Sequence, residues 1–315
     1  MLGTTLLILR CVSTYLATSS ARHSAGMTGR AWIDELPAEL AGQKKIMLQL
    51  LAVCEADERI RWLAIGCSLG RGNADRMSDL DMALGVRDED LSAAIPDIRT
   101  AADGLAELVE SYHHQLPGVP APHERIFVQY ANRCQLDLVV FPASADVGRG
   151  PSIVALYDPD DAINVTDGRP GPTPEQVREW AFRAWCVLAD LGKYLRRGST
   201  WEALECLHEA RQIFWRLTAL AHSVPDPQYG VVSILDFAPS AIPPAAAATV
   251  AVLDHRQLLT AAQTVARLLS ETGDKLPAAF RDALPAAMAA FVTADLAALA
   301  ALPIPATDRS RHLAE

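Results

Sequence analysis

Residues 65–84 read IGCSLGRGNADRMSDLDMAL, a stretch in which small and acidic residues interrupt apolar ones. It predicts an apolar strand, a turn of small residues, and a second apolar strand that carries Asp79 and Asp81. Successive strand side chains point to opposite faces, so the two carboxylates share a face, about 7 Å apart. Like charges held this way repel unless a cation lies between them, and oxygen ligands favour Mg²⁺. The pair therefore predicts a magnesium site.

The turn between the two strands is suited to binding an anion. Ser68 can cap a short helix, and the free N–H groups at the start of such a helix bind phosphate. A phosphate-binding turn beside a pair of carboxylates indicates chemistry on a nucleoside triphosphate, with ATP or another NTP as co-substrate.

The combined pattern resembles the nucleotidyltransferase superfamily, which includes DNA polymerase beta and the antibiotic nucleotidyltransferases. In that family a small pair, usually Gly-Ser, precedes an Asp-apolar-Asp or Asp-apolar-Glu strand. Here Cys67 and Ser68 fill the small pair, and Asp79 and Asp81 fill the acidic strand. Cys67 departs from the pattern, because glycine is usual at its position, although Gly66 precedes it.

The resemblance implies an α+β fold, with a nucleotidyltransferase-type mixed β-sheet and flanking helices followed by an α-helical bundle domain. It is strongest to the aminoglycoside adenylyltransferases. The expected domains are a poorly ordered N-terminal extension over residues 1–30, a catalytic domain over 31–150, a linker over 151–172, a helical domain over 173–303 and a tail over 304–315.

Asp137 is the candidate for a third carboxylate. It is the only charged residue in the apolar run 135–141, which is predicted to form a hairpin with residues 126–130. A charge inside a buried strand costs several kcal/mol unless it is matched. An ion pair with Arg125 or Arg133 would match it. Alternatively, as the resemblance implies, Asp137 completes an acidic cluster with Asp79 and Asp81.

The resemblance also implies the roles of the site residues. Asp79, Asp81 and Asp137 are the expected catalytic and metal-binding residues. Lys193 is expected to reach the outer phosphates of the nucleotide from the helical domain, although a basic helix end at Arg196 and Arg197 is also an ordinary structural feature. The full set expected to bind the nucleotide is Gly66, Cys67, Ser68, Arg71, Ser78 and Lys193.

The remaining elements follow from periodicity and turn residues. The sheet is expected to have about four or five strands, with His113 and His114 at the end of a helix and in a structural role. Strands are predicted at residues 61–66, 79–86, 126–130 and 135–141. Helices are predicted within 32–57 and at 90–115, 175–197, 201–222, 246–272 and 277–302, with a loop-rich segment at 142–174.

Composition limits the partners of the chain. A formal net charge of −10 argues against a polynucleotide substrate, because proteins that bind phosphate backbones concentrate Lys and Arg on one face. The six cysteines show no paired spacing, which indicates reduced thiols and a cytoplasmic protein. No membrane association is predicted, and the chain is expected to be a monomer or a homodimer.

The predicted reaction is transfer of a nucleoside monophosphate, AMP from ATP, to a hydroxyl of a small molecule, with release of pyrophosphate. An aminoglycoside-like antibiotic is one acceptor that the resemblance implies. Two alternatives stay open at this point. One is a protein nucleotidylyltransferase that modifies Ser, Thr or Tyr side chains, and the other is a nucleotide-binding module without catalysis.

Overall fold

The computed structural model describes residues 29–115, 123–145, 153–163 and 171–303. The chain divides into two compact units, residues 1–169 and 170–315, and each is described by itself. Residues 1–28 of the expected N-terminal extension and the tail 304–315 lie outside the described residues. Gly29 already belongs to a helix.

A six-stranded mixed sheet organises the first unit, which confirms the α+β class. The strands in chain order are β1 Ile60–Ile65, β2 Leu80–Val86, β3 Leu108–His114, β4 Glu124–Tyr130, β5 Gln135–Pro142 and β6 Val154–Tyr157. Their spatial order is β3-β4-β5-β2-β1-β6. The β2–β5 pair is parallel, and every other neighbouring pair is antiparallel.

The two faces of this sheet are buried by different means. The helices of the unit are α1 Gly29–Glu35, α2 Ala41–Ala56, α3 Cys67–Arg71 and α4 Leu91–Asp103. One face contributes Leu63, Met82 and Leu138 to the main core, together with α2 and α4 residues such as Leu50 and Ile98. The opposite face carries a small apolar cluster of Trp62, Ala64, Ala83, Val139, Phe141 and Ile163.

Two of the segments predicted for this unit have the wrong secondary structure. The segment 90–115 is not one helix, because Gly104 ends α4 by donating its N–H to the carbonyls of Thr100 and Ala101, and β3 follows. His113 and His114 therefore lie on a strand that pairs with β4. The loop-rich segment contains β6, whose four residues are too few to produce a readable periodicity.

Helices account for all the regular structure described in the second unit. They are α5 Pro174–Arg196, α6 Thr200–Ala221, α7 Val231–Phe237, α8 His255–Lys275, α9 Ala278–Arg281 and α10 Ala286–Leu299, with short 3₁₀ segments between them. The predicted start of α5 is confirmed by a capping box between Thr173 and Gln176. The arrangement of these helices as a bundle stays a prediction.

The helix predicted at residues 246–272 begins later than expected. Residues Pro244–Thr249 form a 3₁₀ segment, and α8 starts where Asp254 accepts a hydrogen bond from the N–H of Gln257. Among the helices of the described residues, none combines the length and the apolar character needed to cross a membrane.

We expect Gly85→Ala to destabilise the first unit by about 1–3 kcal/mol, which is typical of overpacking. A Cβ at Gly85 would lie 2.1 Å from the ring of Trp62. That ring is fully buried and is fixed by an Nε1–H bond to the carbonyl of Ala143. Urea denaturation would measure the loss. Gly171→Ala is the control, because no atom of the described residues other than its chain neighbours lies within 4 Å of its added Cβ. Equal stabilities of the two variants would contradict this packing account.

Candidate active site

Asp81 and Asp137 lie side by side on the two parallel strands. Asp81 of β2 is directly in register with Asp137 of β5, and their neighbours on each strand are paired in the same register. Residues that share a register across parallel strands point to the same face, so the two carboxylates lie next to each other. The structure thus brings together two of the three predicted carboxylates.

The turn after β1 is attached directly to this acidic pair. The N–H of Gly66 donates to the carbonyl oxygen of Asp81 at 3.0 Å. Because β1 and β2 are antiparallel, the end of β1 meets the start of β2, where Asp81 lies. The predicted phosphate turn and the predicted metal residues therefore lie close together, where β1 ends and β2 begins.

Gly66, not Ser68, occupies the N-cap position of α3, so the prediction that Ser68 caps this helix is wrong. Gly66 has extended backbone angles, and the helix begins one residue before Ser68, at Cys67. Cys67 has a φ of 51°, in the left-handed region that favours glycine. The residue that departs from the family pattern thus occupies the position where a glycine would be least strained.

Cys67 is also the exception among the described cysteines, because it is disulfide-bonded. The thiols of Cys54, Cys134, Cys186 and Cys206 are free, as expected. The prediction of reduced thiols is therefore wrong for Cys67. The spacing of the cysteines in the sequence gives no sign of this bond.

Asp79 immediately precedes β2 and is held by a closed turn. The N–H of Ser78 donates to the carbonyl of Asp75, and the Oγ of Ser78 accepts from the N–H of Asp75 at 2.9 Å. The N–H of Met77 donates to the Asp75 carboxylate at 2.8 Å. Ser78, a predicted nucleotide-binding residue, thus shapes the turn that leads into Asp79.

Gln43 of α2 fixes this turn from the core side and was missed by the sequence analysis. Its amide nitrogen donates to the carbonyls of Arg76 at 3.2 Å and Ser78 at 3.0 Å. Gln43 is 2 % exposed and lies on the buried stripe of α2 with Ile46 and Met47. A lone amide in an apolar helical stripe was the available signal, because a buried amide needs hydrogen-bond partners.

The cluster of Asp79, Asp81 and Asp137 carries more negative charge than its surroundings balance. Burial raises the pKa of Asp81 well above its ordinary value, and the charges of Asp79 and Asp137 raise it further. The positive charges of Arg71 and Arg125 act in the opposite direction. Within the described residues, the carboxylates of Asp79 and Asp81 make no hydrogen bond or ion pair. A carboxylate pair of this kind provides suitable ligands for a hard cation.

Asp137 has a partner of its own, as one of the two sequence interpretations proposed. Arg125 of β4 holds both carboxylate oxygens, with Nε–Oδ1 at 3.1 Å and Nη2–Oδ2 at 2.6 Å. Both side chains are buried. Burial raises the pKa of Asp137, and the guanidinium of Arg125 opposes that shift. Asp137 is therefore both an ion-pair partner and a neighbour of Asp81.

No three-residue cluster of His, Cys, Asp and Glu that could hold a metal ion is found in the part of the chain that the structure describes. Mg²⁺ commonly binds through one or two carboxylates and completes its shell with water and substrate phosphates. Asp79 and Asp81 fit that donor set. The inclusion of Asp137 as a third ligand stays a prediction.

The remaining predicted nucleotide residues fall in both units. Arg71 ends α3, and its charge lowers the pKa of Asp81. Lys193 lies on α5 of the second unit, where its Nζ is 2.5 Å from Asp190 Oδ1 and 4.9 Å from the centre of the Tyr194 ring. Its contact with the nucleotide stays a prediction.

We expect Asp81→Asn to stabilise the metal-free protein at neutral pH. The pKa of Asp81 is higher in the folded chain than in the unfolded chain, so the folded state binds more protons between the two values. Stability therefore falls as the pH rises above the unfolded pKa of about 3.9. Thermal unfolding in the presence of a chelator should show a gain that grows with pH and vanishes near pH 4. A lower unfolding temperature for the variant at neutral pH would contradict the assigned charge imbalance.

We expect Gln43→Leu to loosen the turn that precedes Asp79. Hydrogen–deuterium exchange should become faster across residues 75–82 and stay unchanged in β4, because only the two amide donations are lost. Gln49→Leu makes the same substitution at an exposed position of α2 and serves as the control. Equal exchange rates in both variants would show that Gln43 does not stabilise the turn that precedes Asp79.

Comparison with known proteins adds little to this geometry. No protein-family model matches the sequence, and no curated protein matches it significantly. The solved structures include a match to an aminoglycoside 6-adenyltransferase from Bacillus subtilis, with 14 % sequence identity and a TM-score of 0.36. The match covers 82 % of this chain and 97 % of that one. Similarity at this level supports no conclusion about family or activity.

Proposed function

We propose that this chain is a metal-dependent nucleotidyltransferase that transfers AMP from ATP, or another nucleoside monophosphate from its triphosphate, to a hydroxyl of a small molecule. The observation that supports this most is the register of Asp81 with Asp137, beside a turn whose Gly66 N–H is bonded to the Asp81 backbone. Phosphoryl transfer requires a metal cation close to the negative charge of the phosphates, and these aspartates are acidic residues that can hold such a cation.

In this proposal Asp79 and Asp81 hold Mg²⁺, which when bound neutralises phosphate charge and makes the α-phosphorus more electrophilic. The backbone around Gly66, Cys67 and Ser68 faces the β- and γ-phosphates. The positive charge of Arg71, which already acts on Asp81, lies at the end of the same short helix and favours the negative charge of the leaving group.

The acceptor hydroxyl attacks the α-phosphorus, and a new phosphorus–oxygen bond forms. The bond between the α-phosphorus and the bridging oxygen breaks, and pyrophosphate leaves with that electron pair. Asp137 accepts the hydroxyl proton. Its raised pKa makes it a better base than an exposed carboxylate, and Arg125 fixes the orientation of its two oxygens.

Lys193 is assigned to the outer phosphates in the same proposal, because an ammonium is a compact charge that suits pyrophosphate. An aminoglycoside-like compound is the first acceptor to test. The assignment of Mg²⁺, ATP and this acceptor class follows from the family that residues 65–84 resemble and from the donor set of the site.

The direct test is pyrophosphate release from ATP in the presence of Mg²⁺ and a panel of hydroxylated acceptors. We expect turnover that stops on chelation and falls about a hundredfold or more in Asp79→Asn. Asp97→Asn, at an exposed position of α4, is the matched control and should retain wild-type turnover. Unchanged turnover in Asp79→Asn would contradict the mechanism.

The same assay separates the alternatives. Label from ATP that appears on proteins of a cell lysate, with no small-molecule product, would identify a protein nucleotidylyltransferase. Metal-dependent ATP binding without any product would identify a non-catalytic nucleotide-binding module.

A further inference from the structure

The sheet face that carries the acidic pair continues outward as a row of aromatic side chains. Phe127 of β4 is in register with Asp137, and Tyr112 of β3 is in register with Phe127. Residues Asp81, Asp137, Phe127 and Tyr112 therefore form one transverse row across β2, β5, β4 and β3. The row runs from the acidic pair to the edge of the sheet.

These aromatic side chains are not part of the protein core. Tyr112 is 63 % exposed, and Phe127 is half-buried but belongs to none of the apolar clusters formed by the described residues. The ring of His114 lies 5.1 Å from that of Tyr112, tilted by 31°. Aromatic faces are thus available beside the acidic pair.

The geometry of the proposed reaction indicates that the acceptor approaches from the side of Asp81 on which this row lies. In phosphoryl transfer the attacking and leaving oxygens lie roughly in line, on opposite sides of the phosphorus. The turn after β1, on one side of Asp81, is where the leaving pyrophosphate would lie. β5, β4 and β3 extend on the other side, so the attacking molecule approaches over Asp137, Phe127 and Tyr112.

We propose that Phe127 and Tyr112 form the acceptor-binding surface, and that the acceptor is a compound with a ring that stacks on them and a hydroxyl that reaches Asp137. This inference rests on the proposed function, because the in-line geometry determines which side of Asp81 is the acceptor side. Open-chain polyols have hydroxyls but no rigid ring face to place on an aromatic side chain, so they bind more weakly.

The test compares ring alcohols with open-chain polyols. The ring probes are glucosamine, myo-inositol and N-acetyltyrosinamide, and the open-chain probes are glycerol and sorbitol. We expect Tyr112→Ala to raise the KM for ring probes by about tenfold, the usual scale for loss of one stacking contact, while the KM for ATP stays at the wild-type value. Tyr112→Phe keeps the ring and should restore most of the affinity.

Val109→Ala is the matched control, because Val109 is an exposed apolar residue of the same strand that lies outside the row. It should leave the KM for every probe unchanged. A rise in the KM for ATP instead of the acceptor in Tyr112→Ala would assign the row to the nucleobase and overturn the proposal. Wild-type enzyme that uses open-chain and ring probes equally well would also overturn it.

Saturation-transfer NMR keeps the inference testable if no turnover is found. Ring probes that bind wild type and Val109→Ala, but not Tyr112→Ala or Phe127→Leu, would support the surface and count only against the proposed reaction. Ring probes that bind no better than glycerol and sorbitol, or bind all variants equally, would overturn the surface itself.

Discussion

The parallel pairing of β2 with β5 is the constraint on which the candidate site depends. Its register places Asp81 beside Asp137, and the surrounding residues balance the resulting repulsion only in part. Arg125 forms an ion pair with Asp137 from β4, whereas the longer-range charges of Arg71 and Arg125 act on Asp81. The cluster of Asp79, Asp81 and Asp137 therefore has an incompletely balanced negative charge, which a bound cation would neutralise.

The main core lies on one face of the sheet, and the candidate site lies on the other. One face packs its aliphatic side chains against α2 and α4 and forms the main core. The other has a small apolar cluster around Trp62, and beyond it the carboxylates and the aromatic row. Gln43 connects the two faces, because a core helix donates hydrogen bonds to the turn that precedes Asp79. The stable core thus positions residues whose unbalanced negative charge destabilises the fold, a common trade-off in active sites.

The strands of the site could be predicted from sequence, because each combines an apolar run with one or two charges that interrupt it. The predicted strand 79–86 is observed at Leu80–Val86, and 135–141 is observed at Gln135–Pro142. β3 and β6 were missed because edge strands are partly exposed and lack clear alternation. Gln43 and the choice of Arg125 over Arg133 depend on contacts between distant segments, which local periodicity does not encode.

The central claim is that Asp79 and Asp81 bind a divalent cation together with a nucleoside triphosphate. The most direct measurement is anomalous diffraction from crystals grown with Mn²⁺ and an ATP analogue that cannot be cleaved between the α- and β-phosphates. The account predicts a manganese peak in contact with both carboxylates and the triphosphate against the turn at Gly66. A nucleotide bound without metal at these aspartates, or a metal bound elsewhere, would contradict it.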